Sequence, residues 1–453
     1  MNLRLLLGLI CLSFTALGHA QDGAPDTSFS GDGIVSAVSG AGFQAAFTVV
    51  ALPDGAVLAG GVMQTGSNFD LQVIRYRANG GIDGSWSNSG GLTLPIDRVT
   101  DGWDEVLAIA PLDSGAVTLL GSAEEADLFE GGSSASYPVL VRLDAAGDLD
   151  LNFGVGGIVT PASHPFGGNI DTQAAAAHLD GFLFFGFCTA CGPANAVGHF
   201  LYRTLADGSP DTAFDSDGWL ALDRATLGQL STVAVDPAGR ILLAGDFIPM
   251  FGDPELRLHR RLASGGPDLS FSGDGTAIHS FTSVQWSPLA IAVDPVDGAL
   301  VVALQRAGGV EIAAGSLVRF SAAGLFVAPF GQPILAYNDG TFVKELAIDG
   351  ARRIFVAGSF DGAGAQAGGF LVARRLSTGG VDTTFSGDGV QRVEVDDVTN
   401  GWDQGLALTL SGGKPVAAGH SQTVTGGQRF ALVRLTNALI FADGFELGTT
   451  AAW

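Results

Sequence analysis

Aromatic residues next to acids are the side chains of this sequence best suited to binding chemistry. Two segments are near-copies of each other, VTDGWDEVLA from Val99 and VTNGWDQGLA from Val398, and each places an aspartate after a tryptophan. An aromatic face beside a carboxylate suits a sugar or a protein partner, and packing inside the fold is the alternative. Aromatics recur just before other predicted strands, so the candidate binding residues are Phe43, Trp103, Asp104, Trp286, Tyr337, Trp402 and Asp403.

The segment CTAC contains the two cysteines that lie beyond the first twenty residues, Cys188 and Cys191. In an exported protein this pair predicts a disulfide that clamps a local loop. A redox motif of the thioredoxin type would need a βαβ context, which the sequence does not predict. A zinc site would need four ligands, and His199 is the nearest additional candidate.

Signals for metal and enzyme chemistry are weak along the chain. The acidic turn DSDG at Asp215 resembles a fragment of a calcium loop, but Ala213 stands where the EF-hand pattern needs an oxygen ligand. The metalloprotease, nucleophile-elbow and P-loop motifs are absent from the sequence. We therefore assign no catalytic residue and no required cofactor, and calcium stays open as a ligand.

Composition and charge restrict the class of partner. Of the 453 residues 47% are hydrophobic, which is enough for a large core, and the formal net charge is −24. So acidic a chain is a poor partner for nucleic acid and for anionic membrane surfaces. An extracellular protein or a glycan is the expected partner, and the oligomeric state stays open.

The two ends of the chain differ from the rest. The first twenty residues, MNLRLLLGLICLSFTALGHA, have an early arginine, an apolar run and small residues before Gln21, which predicts a secretory signal peptide over 1–20. No later segment has 18 uninterrupted apolar residues, so no membrane-spanning segment is expected after its removal. The last residues, 437–453, are predicted to form a separate tail.

A short phrase repeats through the part between these ends. DTSFSGDG begins at Asp26, DLSFSGDG at Asp268 and DTTFSGDG at Asp382. More divergent copies align on an aromatic residue, and successive aromatics are 55 to 67 residues apart. The seven aromatics are Phe29, Trp86, Phe153, Phe214, Phe271, Phe330 and Phe385. A near-constant period of this size indicates a repeat architecture.

Each period predicts four short strands bounded by Gly, Asp and Pro, with no long helical pattern. Four antiparallel strands per repeat predict an all-β, seven-bladed β-propeller over 21–436. The chain begins with the phrase that precedes a fourth strand and ends near Leu435 with a third strand. The N-terminal strand GIVSAV is therefore expected to complete the last blade and to close the ring.

The repeated patterns D-x-x-F-x-x-x-G, A-x-x-P-D-G-x-x-x-x-A-G and L-x-R-Y/L-x-x-x-G resemble the delta-60 repeat, a β-propeller repeat of secreted bacterial proteins. The resemblance covers about Asp26 to Thr436, although the copy at Phe330 lacks the aspartate and the GDG. It implies a propeller fold and an extracellular or envelope setting. It implies no catalytic residue. The final segment IFADGFELGTTAAW is similar to a short tail at the ends of varied secreted proteins of gram-negative bacteria, so a secreted or envelope location in such a bacterium is expected.

Long loops on a rigid scaffold are where binding residues usually lie. The connections between the second and third strands are the long ones, so we expect a ligand to bind at the face that carries them. The leading hypothesis is a secreted, non-enzymatic propeller that binds an extracellular or envelope ligand. The alternatives are a metal-dependent hydrolase or lyase with its site in the central channel, and a structural or adhesive surface module.

Overall fold

The computed structural model describes residues 22–37, 42–87, 89–96, 102–125, 135–282, 284–306, 315–330, 341–360, 368–395, 398 and 401–437. Strands make up nearly all of the secondary structure there, so the all-β prediction is confirmed. The described helical segments are short: a 3-10 turn at Pro193–Asn195 and the single turn α1 at Arg224–Leu227.

The strands form antiparallel sheets that follow one another in chain order. Sheet 1 contains β2 (Gln44–Ala51), β3 (Val57–Thr65), β4 (Asn68–Tyr76) and β5 (Gly91–Leu94). Sheet 2 contains β6 (Asp104–Pro111), β7 (Val117–Glu125), β8 (Ala135–Leu143) and β9 (Ile158–Val159). Sheet 3 contains β10 (Ile170–His178), β11 (Gly181–Cys188), β12 (Gly198–Leu205) and β13 (Trp219–Asp223). One parallel pair, Ser136 with Asp171, joins sheets 2 and 3.

The remaining sheets have the same order. Sheet 4 contains β14 (Gln229–Val235), β15 (Ile241–Phe247), β16 (Glu255–Arg261) and β17 (Thr276–Ser280). Sheet 5 contains β18 (Trp286–Val293), β19 (Leu300–Arg306) and β20 (Gly315–Phe320). Sheet 6 contains β21 (Thr341–Ile348), β22 (Ile354–Phe360), β23 (Gly369–Arg375) and β24 (Val390–Val393). Sheet 7 contains β25 (Gln404–Ser411), β26 (Lys414–Gln422), β27 (Gln428–Arg434) and, from the other end of the chain, β1 (Ile34–Ser36).

Strand β1 pairs with β27 antiparallel, with Val35 opposite Leu432. The backbone hydrogen bonds continue on both sides of this pair: Arg434 N–H donates to the carbonyl of Gly33, and Ala37 N–H donates to that of Phe430. An exposed edge of β27 would offer unpaired backbone groups to another chain. The N-terminal strand covers that edge.

Consecutive sheets pack face to face through their hydrophobic residues. The first strand of each sheet contacts the first strand of the next, from β2 through β6, β10, β14, β18 and β21 to β25, and β25 contacts β2. Each buried hydrophobic cluster draws its residues from two neighbouring sheets; one cluster, for example, joins Ile74 of sheet 1 to Leu432 of sheet 7. The core is therefore distributed over the interfaces between sheets.

The repeated phrase connects one sheet to the next. Phe29 is fully buried, and the following residue, Ser30, has a φ of 57° and donates its N–H to the carbonyl of Asn79 in the β4–β5 turn of sheet 1. A Cβ on Gly80 in that turn would lie 2.9 Å from the nitrogen of Ser30. The turn needs glycine because the phrase that leads into β1 of sheet 7 packs directly against it.

Arg434, at the end of the third strand of sheet 7, links the phrase at Asp26 to the β4–β5 turn of sheet 1. Arg434 donates from Nε to Asp26 (2.8 Å) and from Nη1 to the carbonyl of Ala78 (2.7 Å), and its guanidinium lies 4.4 Å from the centre of the Phe29 ring. Equivalent arginines recur in every sheet: Arg75, Arg142, Arg203, Arg260, Arg319, Arg374 and Arg434. The planar fork of arginine can reach a carboxylate, a carbonyl and a ring face together, which lysine cannot. This role gives a physical reason for the excess of arginine over lysine in the sequence.

The divergent phrase at Phe330 lacks the aspartate, yet the arginine of its sheet keeps two of the contacts between neighbouring sheets. Arg319 still lies over the Phe330 ring, at 5.7 Å, and still donates to the carbonyl of Ser377 in sheet 6. Its carboxylate partners are instead Asp294 and Asp297, from the β18–β19 turn of its own sheet. The charge of the arginine is therefore compensated from a different direction.

Candidate functional site

The structure places the predicted aromatic residues at separate positions and brings two of them together. The ring centres of Phe43 and Trp103 are 6.1 Å apart. Trp286 packs on the hydrophobic cluster between sheets 4 and 5, with Phe281 as its ring neighbour at 6.1 Å. Trp402 is 58% exposed. Tyr337 lies outside the described residues.

Phe69 completes the aromatic group around Trp103. The two rings stack with centres 4.4 Å apart, and Phe69 N–H donates to the carbonyl of Gly102. Phe43 meets Phe69 edge to face at 6.0 Å, and the His420 ring of sheet 7 lies 6.1 Å from Phe43. Sequence reasoning missed Phe69, because the candidate aromatics were those just before the first strand of a repeat. Phe69 lies instead at the start of β4, a third strand.

The two predicted aspartates satisfy backbone groups. Asp104 is 4% exposed and accepts a hydrogen bond from Ile96 N–H at 2.9 Å. Asp403 is equally buried and accepts from the N–H groups of Val395 and Gln422. Successive residues of a strand point to opposite faces, so Asp104 lies on the other side of the sheet from Trp103 and Glu105.

A cavity of about 330 Å³ opens beside Trp103 and is lined by Trp103, Glu105, Ser122, Glu124, Ser136 and Asp171; we call it the Trp103 cavity. Period-two alternation explains why these side chains share one face. Glu105 is paired with Ser122, and Glu124 with Ser136. Residues opposite each other in an antiparallel sheet point to the same side. Asp171 approaches from sheet 3.

Hydrogen bonds hold the lining in place. Trp103 Nε1 donates to Glu105 at 2.8 Å, and the Trp103 backbone N–H donates to Glu124 at 2.9 Å. The Ser136 hydroxyl donates to Asp171 at 2.9 Å. Each carboxylate is thus fixed by a neighbour and still has lone pairs for a ligand.

Glu105 has a perturbed acidity. Burial raises the pKa of its carboxyl, and the negative charge of Asp171 raises it further, while the hydrogen bond from Trp103 acts in the opposite direction. A carboxyl in this position holds its proton to higher pH than an exposed glutamate. The Trp103 cavity therefore offers a ligand several hydrogen-bond acceptors, together with a carboxyl whose pKa lies above its ordinary value.

The near-copy segment around Trp402 has a different lining. Gln404 stands at the position of Glu105, and the Trp402 N–H donates to the amide oxygen of Gln422 where Trp103 uses Glu124. Amides therefore replace the carboxylates at the exposed tryptophan. The two segments form a natural matched pair for mutagenesis.

The structure also bears on the predicted disulfide, on metal ligands and on membrane-spanning segments. Cys188 and Cys191 are joined in a disulfide at the end of β11. Within the described part of the chain, no group of three or more His, Cys, Asp and Glu side chains is arranged to hold a metal ion. No helix among the described residues is long and apolar enough to cross a membrane.

Comparison with known proteins returns structural likenesses at low identity. No protein-family model matches the sequence, and no curated protein matches it significantly. Sqt1 from Chaetomium thermophilum is 12% identical, with a TM-score of 0.46 over 88% of this chain and 97% of that one. The polysaccharide lyase Uly1 is 12% identical, with a TM-score of 0.47 over 86% and 90%. The β-propeller domain of the Trilobed protease from Pyrococcus furiosus is 9% identical, with a TM-score of 0.42 over 87% and 99%.

Proposed function

We propose that this chain is a secreted, non-enzymatic, seven-bladed β-propeller of the delta-60 repeat type that binds a glycan of the extracellular space or cell envelope in the Trp103 cavity. The proposal has two parts, the ring and the ligand. Each is supported by contacts among the described residues.

The contacts between first strands support the closed ring. Each first strand touches the next, and β25 touches β2, as expected if seven blades surround one axis. The pairing of β1 with β27 supplies the last blade with an outer strand from the N-terminus. The predicted signal peptide, which lies outside the described residues, supports export.

The Trp103 cavity carries the proposed function. Its volume of about 330 Å³ lies within the range of small-molecule sites and suits one or two sugar units. An indole offers an apolar face to sugar C–H groups, and carboxylate and serine oxygens accept bonds from sugar hydroxyls. The lining combines both, with Trp103 beside Glu105, Glu124 and Asp171.

Titration calorimetry of the full chain against a panel of neutral oligosaccharides tests the ligand. We expect one glycan class to bind, and Trp103→Ala to weaken its affinity by about tenfold or more through loss of the aromatic wall. Trp402→Ala is the matched control, because it removes the exposed tryptophan of the near-copy segment and should leave affinity unchanged. Equal losses in both variants, or binding only of lysine-rich peptides that high salt abolishes, would reject the glycan site.

The acidity of Glu105 favours a second candidate, hydrolysis of the bound glycan. A carboxyl with a raised pKa beside a second carboxylate is the arrangement of a general acid and its partner. Glu105→Gln would then abolish release of new reducing ends and retain binding. Failure of the wild-type chain to release reducing ends from any glycan that it binds would leave binding alone.

A further inference from the structure

Sheet 1 contains three buried side-chain oxygens that lack hydrogen-bond partners. Gln44, Asp70 and Gln72 are 2%, 4% and 7% exposed. Gln44 Oε1, Asp70 Oδ1 and Gln72 Oε1 are all buried acceptors with no hydrogen bond among the described residues. Native structures rarely leave such groups unsatisfied, and an unseen water or ion is a usual explanation.

The three acceptors lie on one face of the sheet. Met63 is paired with Gln44 on one side and with Asp70 on the other, so these three side chains point the same way. Gln72 follows Asp70 by two residues and shares its face. Its amide Nε2 donates to Met63 Sδ at 3.1 Å, which leaves its oxygen as the free end of the amide.

This face is directed at the interface with sheet 7, which we call the closure seam. Ile74, on the same face as Gln72, packs in one buried cluster with Phe430 and Leu432 of β27. His420 is paired with Phe430 and shares its side of sheet 7. His420 Nδ1 and Gln428 Oε1 are also buried and without a partner, and Gln428 N–H donates to the carbonyl of Gly42 just before β2. Unsatisfied atoms therefore line both walls of the seam.

A cation satisfies this arrangement better than protein groups do. No lysine or arginine pairs with Asp70 in the described part of the chain. A buried carboxylate without a positive partner is strongly destabilising, and each unsatisfied amide oxygen adds to the cost. Carboxylate and amide oxygens together form a hard donor set, the type that calcium takes with flexible geometry and added water.

We infer that the closure seam binds a calcium ion through Asp70, with the amide oxygens of Gln44 and Gln72 as further ligands. His420 and Gln428 line the opposite wall. The ion joins a sheet made wholly from the N-terminal part of the chain to the sheet that contains the C-terminal strands. Its binding therefore stabilises the contact between the two ends of the fold. With one carboxylate in the donor set, the dissociation constant should lie in the weak extracellular range, roughly 10⁻⁴–10⁻³ M.

Equilibrium dialysis of the chelator-treated full chain against calcium, with elemental analysis, measures this site directly. We expect about one calcium ion per chain at saturation and an affinity at least about tenfold lower in Asp70→Asn. Saturating calcium should also raise the melting temperature of the wild type by about 3 °C, since the ion binds only the folded state. Asp113→Asn, which removes an exposed aspartate from a turn, is the control and should bind calcium like the wild type.

Gln72→Leu distinguishes an ion site from unsatisfied groups that merely tolerate burial. If calcium occupies the seam, this variant binds calcium more weakly and loses the calcium-dependent rise in melting temperature. If the seam holds no ion, removal of an unsatisfied amide raises the melting temperature equally with chelator and with calcium. That second result, or retention of full calcium affinity by Asp70→Asn, overturns the proposal. Neither measurement depends on a glycan in the Trp103 cavity.

Discussion

Arg434 and Asp26, 408 residues apart in the chain, form an ion pair with Nε 2.8 Å from Oδ2. Both side chains are more than nine-tenths buried. Lys414 donates to the same carboxylate oxygen. Burial acts to raise the pKa of Asp26, but the hydrogen bonds from Lys414 and Ser28 and the charge of Arg434 lower it to about 2. One carboxylate near the N-terminus thus joins two strands of the C-terminal sheet.

Replacement of Arg434 by lysine should destabilise the protein even though the charge is kept. Lysine cannot reach Asp26, the Ala78 carbonyl and the Ser28 hydroxyl at once, so buried hydrogen bonds are lost although Lys414 still pairs with Asp26. We expect a loss of about 2 kcal/mol in the free energy of unfolding, measured by urea denaturation. Arg77→Lys is the control: Arg77 is 55% exposed and pairs with Asp83 at the surface, so its replacement should change stability by less than about 0.5 kcal/mol. Equal effects at the two positions would contradict this assignment.

Proline scanning of β1 tests whether the N-terminal strand seals β27. The carbonyl of Gly33 and the N–H of Ala37 bond to β27. By alternation Val35 also directs its backbone groups at β27, whereas Ser36 directs its N–H away. Val35→Pro removes a hydrogen bond of the ladder and should lower the melting temperature and speed amide exchange at Leu432 and Arg434. Ser36→Pro should be tolerated, because proline is compatible with the outer side of an edge strand. Slow exchange at Leu432 in Val35→Pro would show that β27 does not depend on β1.

The repeat was readable from the sequence because each period repeats its turn residues and its aromatic. The arginine of the third strand was visible in the pattern L-x-R, but its partners could not be inferred, since the Asp26 carboxylate and the Ala78 carbonyl come from two different sheets. The Trp103 cavity was harder still. Asp171 reaches it from another sheet, and only the register of β6 and β7 shows that Glu105 and Ser122 point the same way. A signal was present in the alternation W-x-E before and within β6, which places polar residues on one face.

Stability should fall in acid because buried histidines resist protonation. Burial lowers the pKa of His259 to about 4, and the ring bonds to the Leu227 carbonyl and the Thr276 hydroxyl. The unfolded chain binds this proton near pH 6.5, so the stability is complete above that pH and is lost as pH falls towards 4, by about 3 kcal/mol. Urea denaturation of His259→Gln between pH 7 and 4.5 should show a shallower decline than the wild type. If the stability of His259→Gln declines in parallel with that of the wild type, His259 is not a source of the pH dependence. Protonation of Asp26 lowers the stability mainly below pH 3.8, which is outside the pH range of this measurement.

Glu345 should make the free energy of unfolding fall as pH rises, the opposite of the effect of His259, over nearly the same pH range. Each first strand has a bulge, and the residue after the shift is small in six of them, Thr48, Ala108, Ala174, Thr232, Ala290 and Ala407, but is Glu345 in β21. Burial raises its pKa to about 7 from the ordinary 4.5.

A raised acid pKa means that the folded chain holds the proton more tightly than the unfolded chain. Glu345 therefore costs no stability below pH 4.5, and destabilises the fold increasingly as pH rises towards 7, by about 3 kcal/mol. Glu345→Gln should raise the free energy of unfolding at pH 8 and leave it nearly unchanged at pH 4. Glu255→Gln, at a glutamate paired with Arg257, is the control and should not stabilise at pH 8. His259 and Glu345 change the free energy of unfolding in opposite directions between pH 4.5 and 6.5, and burial lowers the pKa of His199 and His420 to about 4 as well, so the single variants are needed to separate the groups. If Glu345→Gln gives the same gain at pH 4 and pH 8, the gain comes from packing, and the carboxyl does not titrate in this range.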